Sequence, residues 1–343
     1  MSKTKPFGVF FFAAGALVLH LAFAVGIGAL FAQWHGRQIS RGVALPQAPR
    51  YVLPAGWNDP GKRGQIASLC AAGGHVFAAG PGLGVYRSVD GHSWFPFNAG
   101  LSESLETTHL SSGPAGLFVI DDDLQAYRWD STAWSAIGVV PESSRVVRVG
   151  HRGGSLAVAT DFGVHFWTER DGWTTPEDPG RAATFAVKPR RVLPATPTLG
   201  IGIESNERGA WFVRLSGGSG VAAPPVDPPV DPSKVVWLRD VDGSSTIVDG
   251  DWRSTITDVE FRPSPTSTII VAAGDARVYA IDVVDGGFAT PRGESAGLPP
   301  AACTSLTVNG EDLFVGTSGF GVYRFDAQHD RFEPANLGLL HTP

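Results

Sequence analysis

Short apolar segments of strand type recur along most of this 343-residue chain. They combine β-branched, aromatic and small residues and are followed by turn-forming residues, a pattern typical of buried strands. Seven such segments begin 34 to 44 residues apart, at positions 75, 116, 155, 198, 234, 268 and 312. Repetition at such a period indicates units that pack against one another, because one short strand cannot bury its own apolar side chains.

The order of segments within a unit indicates its architecture. An alternating segment such as QIASLCA comes first, then a segment of the LFVGT type, then a GVYR strand and a strand opened by an aromatic residue. The last two strands keep a nine-residue spacing from Tyr86 to Phe95, Tyr279 to Phe288 and Tyr323 to Phe332. Four strands in about 40 residues predict one blade of a β-propeller. We therefore expect an all-β β-propeller of six to seven four-stranded blades, with seven favoured, over residues 63–339.

A β-sandwich or a β-solenoid is the alternative for repeated strands. A sandwich gives no reason for a four-strand unit to recur with constant internal spacing, and solenoid coils usually need fewer residues. The Pro-rich stretch 223–233 cannot supply a central strand, because proline lacks the N–H that the ladder needs. We interpret it as an insertion. The unit at 234–252 is then either a degenerate blade or an insertion in a six-bladed ring.

The amino-terminal region has a different character. A basic N-terminus, residues 1–6, precedes an apolar run at 7–33 that is uncharged when its histidine is neutral. The run is long enough to cross a hydrocarbon core of about 30 Å as a helix. A cleaved signal sequence is the alternative, since AFA at 22–24 fits a cleavage site. We favour an uncleaved transmembrane helix because the run continues to Ala32, and we interpret residues 34–62 as a stalk.

Charge excludes one class of partner. Residues 1–50 contain five basic residues and no Asp or Glu, which leaves 22 basic against 33 acidic residues, a charge of −11, in the rest of the chain. Nucleic-acid phosphates require a basic surface. We therefore expect no nucleic-acid partner.

One turn carries a family resemblance. LGVYRSVDGHSWFPFNAGL resembles the Asp-box repeats of bacterial neuraminidase-repeat proteins, sortilin-type propellers and photosystem II assembly-factor-like propellers. Ser88, Asp90 and Trp94 match the box, although the segment is one residue shorter. Degenerate copies follow in Asp130 with Trp134, Asp171 with Trp173 and Asp326 with Phe332. ITDVEFRPSPTSTIIVAAGDARVYAID is instead similar to a WD-type repeat. The resemblance implies a blade and specifies no activity.

The Ser88–Asp90 pair has a structural and a catalytic interpretation. Asp and Ser side chains in a hairpin turn accept hydrogen bonds from backbone N–H groups of that turn, and we favour this role. The resemblance would suggest sialidase activity first, and FRP at 261–263 partly matches a sialidase arginine segment. The isoleucine of that segment is missing, and the tyrosines lie in strand patterns, so we do not expect a sialidase.

Aspartates, histidines and cysteines are the other candidate site residues. DDD at 121–123 could bind calcium through its carboxylates, but a hairpin turn is the favoured interpretation. The nine histidines show no metal-binding motif. Cys70 and Cys303 lie in the first strands of the first and last units, where a disulfide could close the ring, yet we favour buried thiols. We assign no catalytic, cofactor-binding or metal-ligating residues and expect no cofactor.

The function expected from these features is binding. A propeller presents loops around a central channel, which suits recognition of a protein or a glycan. We predict a membrane-anchored, extracytoplasmic β-propeller, periplasmic or extracellular, that acts as a protein- or glycan-binding or assembly module; secretion after signal cleavage is the alternative. A glycan-processing enzyme, a sialidase-like hydrolase or a lyase, is the second candidate and would need paired carboxylates at the channel mouth.

Overall fold

The computed structural model describes residues 65–143, 145–175, 185–191, 200–205, 211–216, 236–239, 245–248, 255–262, 267–274, 276–284, 287–288, 292–293 and 296–339. All the regular secondary structure within these ranges is β-strand, as the repeated segments predict. No helix in them has the length and apolarity needed to cross a membrane. The basic N-terminus 1–6, the anchor or signal sequence 7–33, the stalk 34–62 and the Pro-rich insertion 223–233 lie outside the described residues.

The first two blades are regular four-stranded antiparallel sheets in which each strand pairs with the next along the chain. The first contains β1 (Ser68–Ala72), β2 (His75–Gly80), β3 (Gly84–Ser88) and β4 (Trp94–Pro96). The second contains β5 (Thr107–Gly113), β6 (Gly116–Asp121), β7 (Gln125–Trp129) and β8 (Trp134–Val139). This meander is the arrangement expected of a propeller blade.

A nine-stranded sheet follows. Its first part contains β9 (Val146–Arg152), β10 (Ser155–Thr160), β11 (Gly163–Thr168) and β12 (Gly172–Thr174). Its second part contains β13 (Phe185–Arg191), β14 (Gly200–Ser205), β15 (Trp211–Ser216), β16 (Val236–Arg239) and β17 (Ser245–Val248). The two parts join where β13 pairs with β9 at Ala186 and His151. Strands β15 and β16 pair in parallel, which breaks the meander.

The last two blades return to the antiparallel pattern. One contains β18 (Ile256–Arg262), β19 (Thr268–Ala273), β20 (Arg277–Val284), β21 (Gly287–Phe288) and β22 (Arg292–Gly293), with both short strands paired to β20. The other contains β23 (Cys303–Asn309), β24 (Asp312–Thr317), β25 (Gly321–Asp326) and β26 (Arg331–Pro334). Both follow the order of strands that the sequence predicts for a unit.

The described strands form five sheets, so the described part of the chain has five blades and the expected number of six to seven is wrong. The segments that begin at 198 and 234 supply β14 and β16. These strands do not form separate sheets. They belong to the part of the chain that extends the sheet of the third blade beyond its strand β9.

The second strand of each regular blade is its most buried part. In β2, β6, β10 and β24 every residue after the first is buried, and β19 is buried throughout. These are the continuous apolar runs of the repeat, such as VFAAG and LFVGT. A strand with continuous apolar residues needs cover on both faces, and in a propeller the neighbouring blades provide it.

The ring closes between the first and last blades. Strand β1 contacts β23 as well as β5. The backbone N–H of Ile66 donates a hydrogen bond of 3.0 Å to the carbonyl of Thr317, and Gln65 forms a bridge with Ser318. The side chains of Ile66 and Leu69 share a buried cluster with Phe314 of the last blade. Closure therefore lies at the edges that the sequence order predicts.

Candidate functional site

A cavity of about 690 Å³ opens where the innermost strands of the five blades meet. Strands β1, β5, β9, β18 and β23 all contribute to its lining. Eight of the lining residues carry hydroxyl groups: Ser68, Ser111, Ser112, Thr255, Thr257, Thr304, Ser305 and Thr307. This volume lies within the range of small-molecule and peptide side-chain sites, roughly 300–1,000 Å³.

Asp258 anchors the polar network on one side of the cavity. Its Oδ2 accepts hydrogen bonds from Ser305 Oγ at 3.0 Å and from the backbone N–H of Leu306 at 2.7 Å. Ser305 Oγ in turn accepts a bond of 3.0 Å from the backbone N–H of Leu69. Since these residues belong to β18, β23 and β1, one buried carboxylate links three consecutive blades.

Further hydroxyl groups continue the linkage. Ser68 Oγ donates to the carbonyl of Leu110 at 3.3 Å and accepts from its N–H at 3.0 Å. Ser112 Oγ donates to the carbonyl of Ala71 at 2.8 Å. These bonds satisfy backbone groups of strands that face a neighbouring blade and have no ladder partner there. Many lining hydroxyls thus have a structural role.

Arg148 joins the third blade to the one that contains β18. Its Nη1 donates a hydrogen bond of 3.1 Å to the carbonyl of Thr257. Burial lowers the pKa of Arg148 to about 10, while the Asp258 carboxylate acts in the opposite direction. Burial, with the nearby Arg148 cation, lowers the pKa of His109 to about 4. At neutral pH the cavity therefore contains a cationic arginine and an uncharged histidine.

Ser111 and His151 form the pair that most resembles a nucleophile and its base. Ser111 Oγ lies 3.0 Å from His151 Nε2, and both side chains are buried. His151 Nδ1 is buried and has no hydrogen-bond partner among the described residues. An unpaired N–H costs more than an unpaired lone pair, so the proton belongs on Nε2, which then donates to Ser111. Burial also lowers the pKa of His151 to about 4. The pair stabilises the contact between the second and third blades and lacks the orienting group of a catalytic triad.

The carboxylates of the cavity bear on the enzyme alternative. Asp258 and Glu260 both line it from β18, and both are buried, at 6% and 1% exposure. Asp258 uses both oxygens for hydrogen bonds, since Oδ1 accepts from the N–H of Val259, and Glu260 Oε1 accepts from the N–H of Phe261. A general acid and base must reach the substrate. Buried carboxylates that hold backbone groups favour a structural role.

The Ser88–Asp90 turn has the structural role that the sequence predicts. Asp90 Oδ1 accepts hydrogen bonds from the backbone N–H groups of His92 at 2.8 Å and Ser93 at 2.7 Å, and from Ser88 Oγ at 3.1 Å. The backbone bonds from Ser93 and His92 hold the pKa of Asp90 well below its usual range. Asp130 repeats the geometry with the N–H groups of Thr132 and the residue after it.

The remaining residues that the sequence suggested as candidate sites lie in turns, strands or the core. Asp121 is buried and accepts from the N–H of Gln125 at 2.8 Å, whereas the next two aspartates of the DDD turn are exposed. Within the described ranges these three do not bring their carboxylates together as metal ligands. Arg262 is buried with its guanidinium 4.9 Å from the ring centre of Phe325, so it does not present a carboxylate clamp. The cysteines 70 and 303 are buried thiols, as favoured.

Sequence reasoning missed one group of side chains. Asp326, His329 and Glu333 lie on the hairpin of β25 and β26, and their potential ligand atoms all lie within 4.8 Å of one another. The signal was the spacing between the aspartate and the aromatic residue that follows it. Phe332 lies six positions after Asp326, whereas Trp94 lies four positions after Asp90.

Comparison with known proteins gives matches only among solved structures. No family model matches the sequence. No curated protein matches it. The WD40 β-propeller domain of Doa1 is similar at a TM-score of 0.49 and 14% identity, over 79% of this chain and 96% of that one. YCF48 bound to D1 peptide is similar at 0.48 and 14%, over 76% and 92%. A catalytically inactive virginiamycin B lyase from Staphylococcus aureus with quinupristin is similar at 0.42 and 9%, over 80% and 85%.

Proposed function

We propose that the protein is a membrane-anchored, extracytoplasmic β-propeller that binds a segment of a partner protein at its central cavity and acts in binding or assembly. The observation that carries the proposal is the cavity itself. It has a volume of about 690 Å³, and the five blades around it form a ring linked by hydrogen bonds. A rigid ring offers a preformed site, which lowers the entropic cost of binding.

The composition of the lining favours a peptide over a glycan. The exposed Thr255 hydroxyl and the Asn309 amide group line the cavity and can pair with the polar backbone of a bound segment. The described lining contains no Phe, Tyr or Trp. Sugar-binding sites commonly stack a sugar ring on such a side chain, so we place a glycan second.

We also propose that the protein is not an enzyme. The carboxylates of Asp258 and Glu260 hold backbone N–H groups, and the proton of the Ser111–His151 pair belongs on the wrong atom for a general base. These features support binding over hydrolysis or lyase chemistry at the cavity.

The anchor and the repeat type complete the proposal. The uncharged run 7–33 supports an uncleaved transmembrane helix, and residues 34–62 would then act as the stalk that carries the propeller. The turns of Asp90 and Asp130, each bonded to two backbone N–H groups and followed by a buried tryptophan, support their assignment as Asp-box turns.

Blocking the cavity tests the binding function. Thr255 lines the cavity and is exposed, so Thr255→Trp fills part of the space without disturbing the core. Thr174→Trp is the matched control, because Thr174 is exposed on the outer strand β12. Partners are cross-linked in membranes and recovered from detergent with the full chain. We expect Thr255→Trp to lose partners that wild type and Thr174→Trp both retain. Equal recovery by all three proteins would place binding elsewhere.

A further inference from the structure

The last hairpin departs from the turns that it repeats. In the Asp90 turn one carboxylate oxygen accepts two backbone N–H bonds, from the second and third residues after the aspartate. In the Asp326 turn Oδ1 accepts the backbone N–H of Gln328 at 2.8 Å, and the backbone N–H of His329 also bonds the carboxylate. Its Oδ2 lies instead 2.5 Å from Nδ1 of His329. One carboxylate oxygen of Asp326 therefore lies beside an imidazole nitrogen.

A second carboxylate lies beside this pair. Glu333 on β26 brings an oxygen within 4.8 Å of the ligand atoms of both Asp326 and His329. The three side chains are accessible, at 27% exposure for Asp326, 62% for His329 and 45% for Glu333. An ion that binds N and O ligands at about 2.0–2.2 Å holds them roughly 3.3 Å apart in tetrahedral geometry. The distances between ligand atoms in this cluster, 2.5 Å for Asp326 and His329 and up to 4.8 Å overall, lie on both sides of that value. Small side-chain rotations would therefore bring the three ligand atoms to the separation that the ion requires.

We propose that Asp326, His329 and Glu333 form a binding site for a divalent transition-metal ion of the Zn²⁺ type. One imidazole nitrogen and two carboxylate oxygens suit Zn²⁺, whereas Ca²⁺ and Mg²⁺ prefer all-oxygen sites with more ligands. Three protein ligands leave at least one position for water or for a group from outside. The ligands come from the end of β25, the turn and β26, so the ion would join both strands of the hairpin.

One cation competes for this site. Arg331 Nε and Nη2 both donate to Glu333 Oε1, at 3.1 and 2.6 Å. A bound ion must take the other oxygen of Glu333 or displace this pair. Removing Arg331 should therefore increase the affinity of the site for the metal ion. This effect distinguishes a metal site from two ordinary surface ion pairs.

Zn²⁺ titration of the untagged full chain in detergent, followed by calorimetry, tests the proposal. We expect a saturable site in wild type, weakened at least about tenfold in His329→Ala and in Glu333→Gln. Both residues are at least partly exposed, so these variants should fold. His75→Ala is the matched control, because His75 bonds the backbone of a different turn. Arg331→Ala should bind more tightly than wild type.

Thermal unfolding gives an independent measurement, because an ion that binds only the folded state raises the melting temperature. Zn²⁺ should raise it in wild type and His75→Ala, and raise it less in His329→Ala. Equal binding by wild type and His329→Ala would overturn the proposal. So would preferential binding of Ca²⁺ over Zn²⁺.

Discussion

The indole nitrogen of Trp94 donates a hydrogen bond of 2.7 Å to the carbonyl of Ala335, 241 residues further along the chain. The bond joins the outer strand of the first blade to the end of the last. Trp134 Nε1 donates in the same way to the carbonyl of Phe97 at 2.6 Å, and Trp173 Nε1 to the carbonyl of Ile137 at 3.1 Å. The repeated tryptophan therefore fastens each of these blades to the one before it, and in the first blade it closes the ring.

Replacing Trp94 should separate the contribution of its ring from that of its hydrogen bond. The side chain is 2% exposed. We expect Trp94→Ala to lower the free energy of unfolding by about 3–5 kcal/mol. Trp94→Phe keeps most of the buried area but leaves the Ala335 carbonyl without this donor, so a smaller loss of about 1–3 kcal/mol is expected. Urea unfolding measures both, and equal losses would show that burial of the ring contributes little.

Asp90→Ala is the companion variant for the turn. Its carboxylate is exposed, and solvent competes for its hydrogen bonds, so we expect a loss of only about 1 kcal/mol. Loss of partner binding at an unchanged melting temperature would contradict the structural role of this turn.

The glycine-containing segment that follows the last blade gives a second prediction. Gly338 has a φ of +81°, and a Cβ there would overlap the backbone oxygen of Trp94. Gly74 has a similar φ of +79° with no atom within 4 Å of such a Cβ. Both Ala variants incur the left-handed strain, roughly 1–2 kcal/mol. Gly338→Ala should lose about 1–3 kcal/mol more from the overlap, measured by urea unfolding. Equal losses would mean that the segment that contains Gly338 can move aside.

Segments of this type follow three of the blades and show what sequence reasoning could have found and did not. NAGL at 98–101, SAGL at 295–298 and NLGL at 336–339 each place a glycine of positive φ against the aromatic that opens the outer strand of a neighbouring blade. The carbonyl before that glycine accepts the aromatic residue's N–H, at 2.7 Å for Trp134 and 2.8 Å for Trp94. The motif is local and visible in the sequence, whereas the identity of the aromatic residue that it contacts in the neighbouring blade is not.

The strands and their order were predictable, because VFAAG and GVYR segments specify burial and turns locally. The number of blades was not. It depends on the pairing of His151 with Ala186 and on the parallel contact of β15 with β16, which join segments that no constant spacing connects. The cavity was equally hidden, since Arg148 meets Thr257 across 109 residues. Only the spacing between Asp326 and Phe332 pointed to the Asp326 cluster.

His151 should make the fold sensitive to mild acid. Its folded-state pKa of about 4 lies below the ordinary value of 6.5. Between pH 4 and pH 6.5 the imidazole of His151 binds a proton in the unfolded chain but not in the folded one. The contribution of His151 to the free energy of unfolding is therefore complete above pH 6.5 and is lost as the pH falls towards 4. His151→Gln keeps a donor for Ser111 and removes the titration. We expect it to reduce the slope of unfolding free energy against pH by up to about 1.4 kcal/mol per pH unit.

The control for this prediction is Thr174→Gln, which alters an exposed position on the outer strand β12 and changes no titratable group. Its slope should match that of wild type. The carboxylates of Asp90 and Asp130 have lowered pKa values and lose their contribution only as the pH falls below about 4. The two effects therefore occupy different pH ranges, and an unchanged slope in His151→Gln would be inconsistent with a neutral buried histidine.

The apolar run 7–33 predicts the behaviour of the protein in membrane fractions. An uncleaved helix of this length should keep the full chain in the membrane pellet after washing with carbonate or high salt, because apolar contact with lipid does not depend on charge. Immunoblotting of pellet and supernatant measures the distribution. Recovery of a soluble form that begins near Val25 would instead support secretion after signal cleavage.

Truncation after Pro299 tests the closure of the ring. It removes β23–β26 and with them Phe314, which packs against Ile66 and Leu69 of the first blade. It also removes Leu306 and Val315, which pack against the apolar side chains of β19 and β20. Both neighbouring blades would expose buried faces, and the four remaining sheets cannot easily contract across the gap.

We expect the fragment 51–299 to aggregate or to be degraded, whereas residues 51–343 should give a soluble, cooperatively unfolding domain. Size-exclusion chromatography and thermal unfolding of the two proteins measure the difference. A monomeric 51–299 that melts cooperatively would show that the first and last blades do not depend on each other.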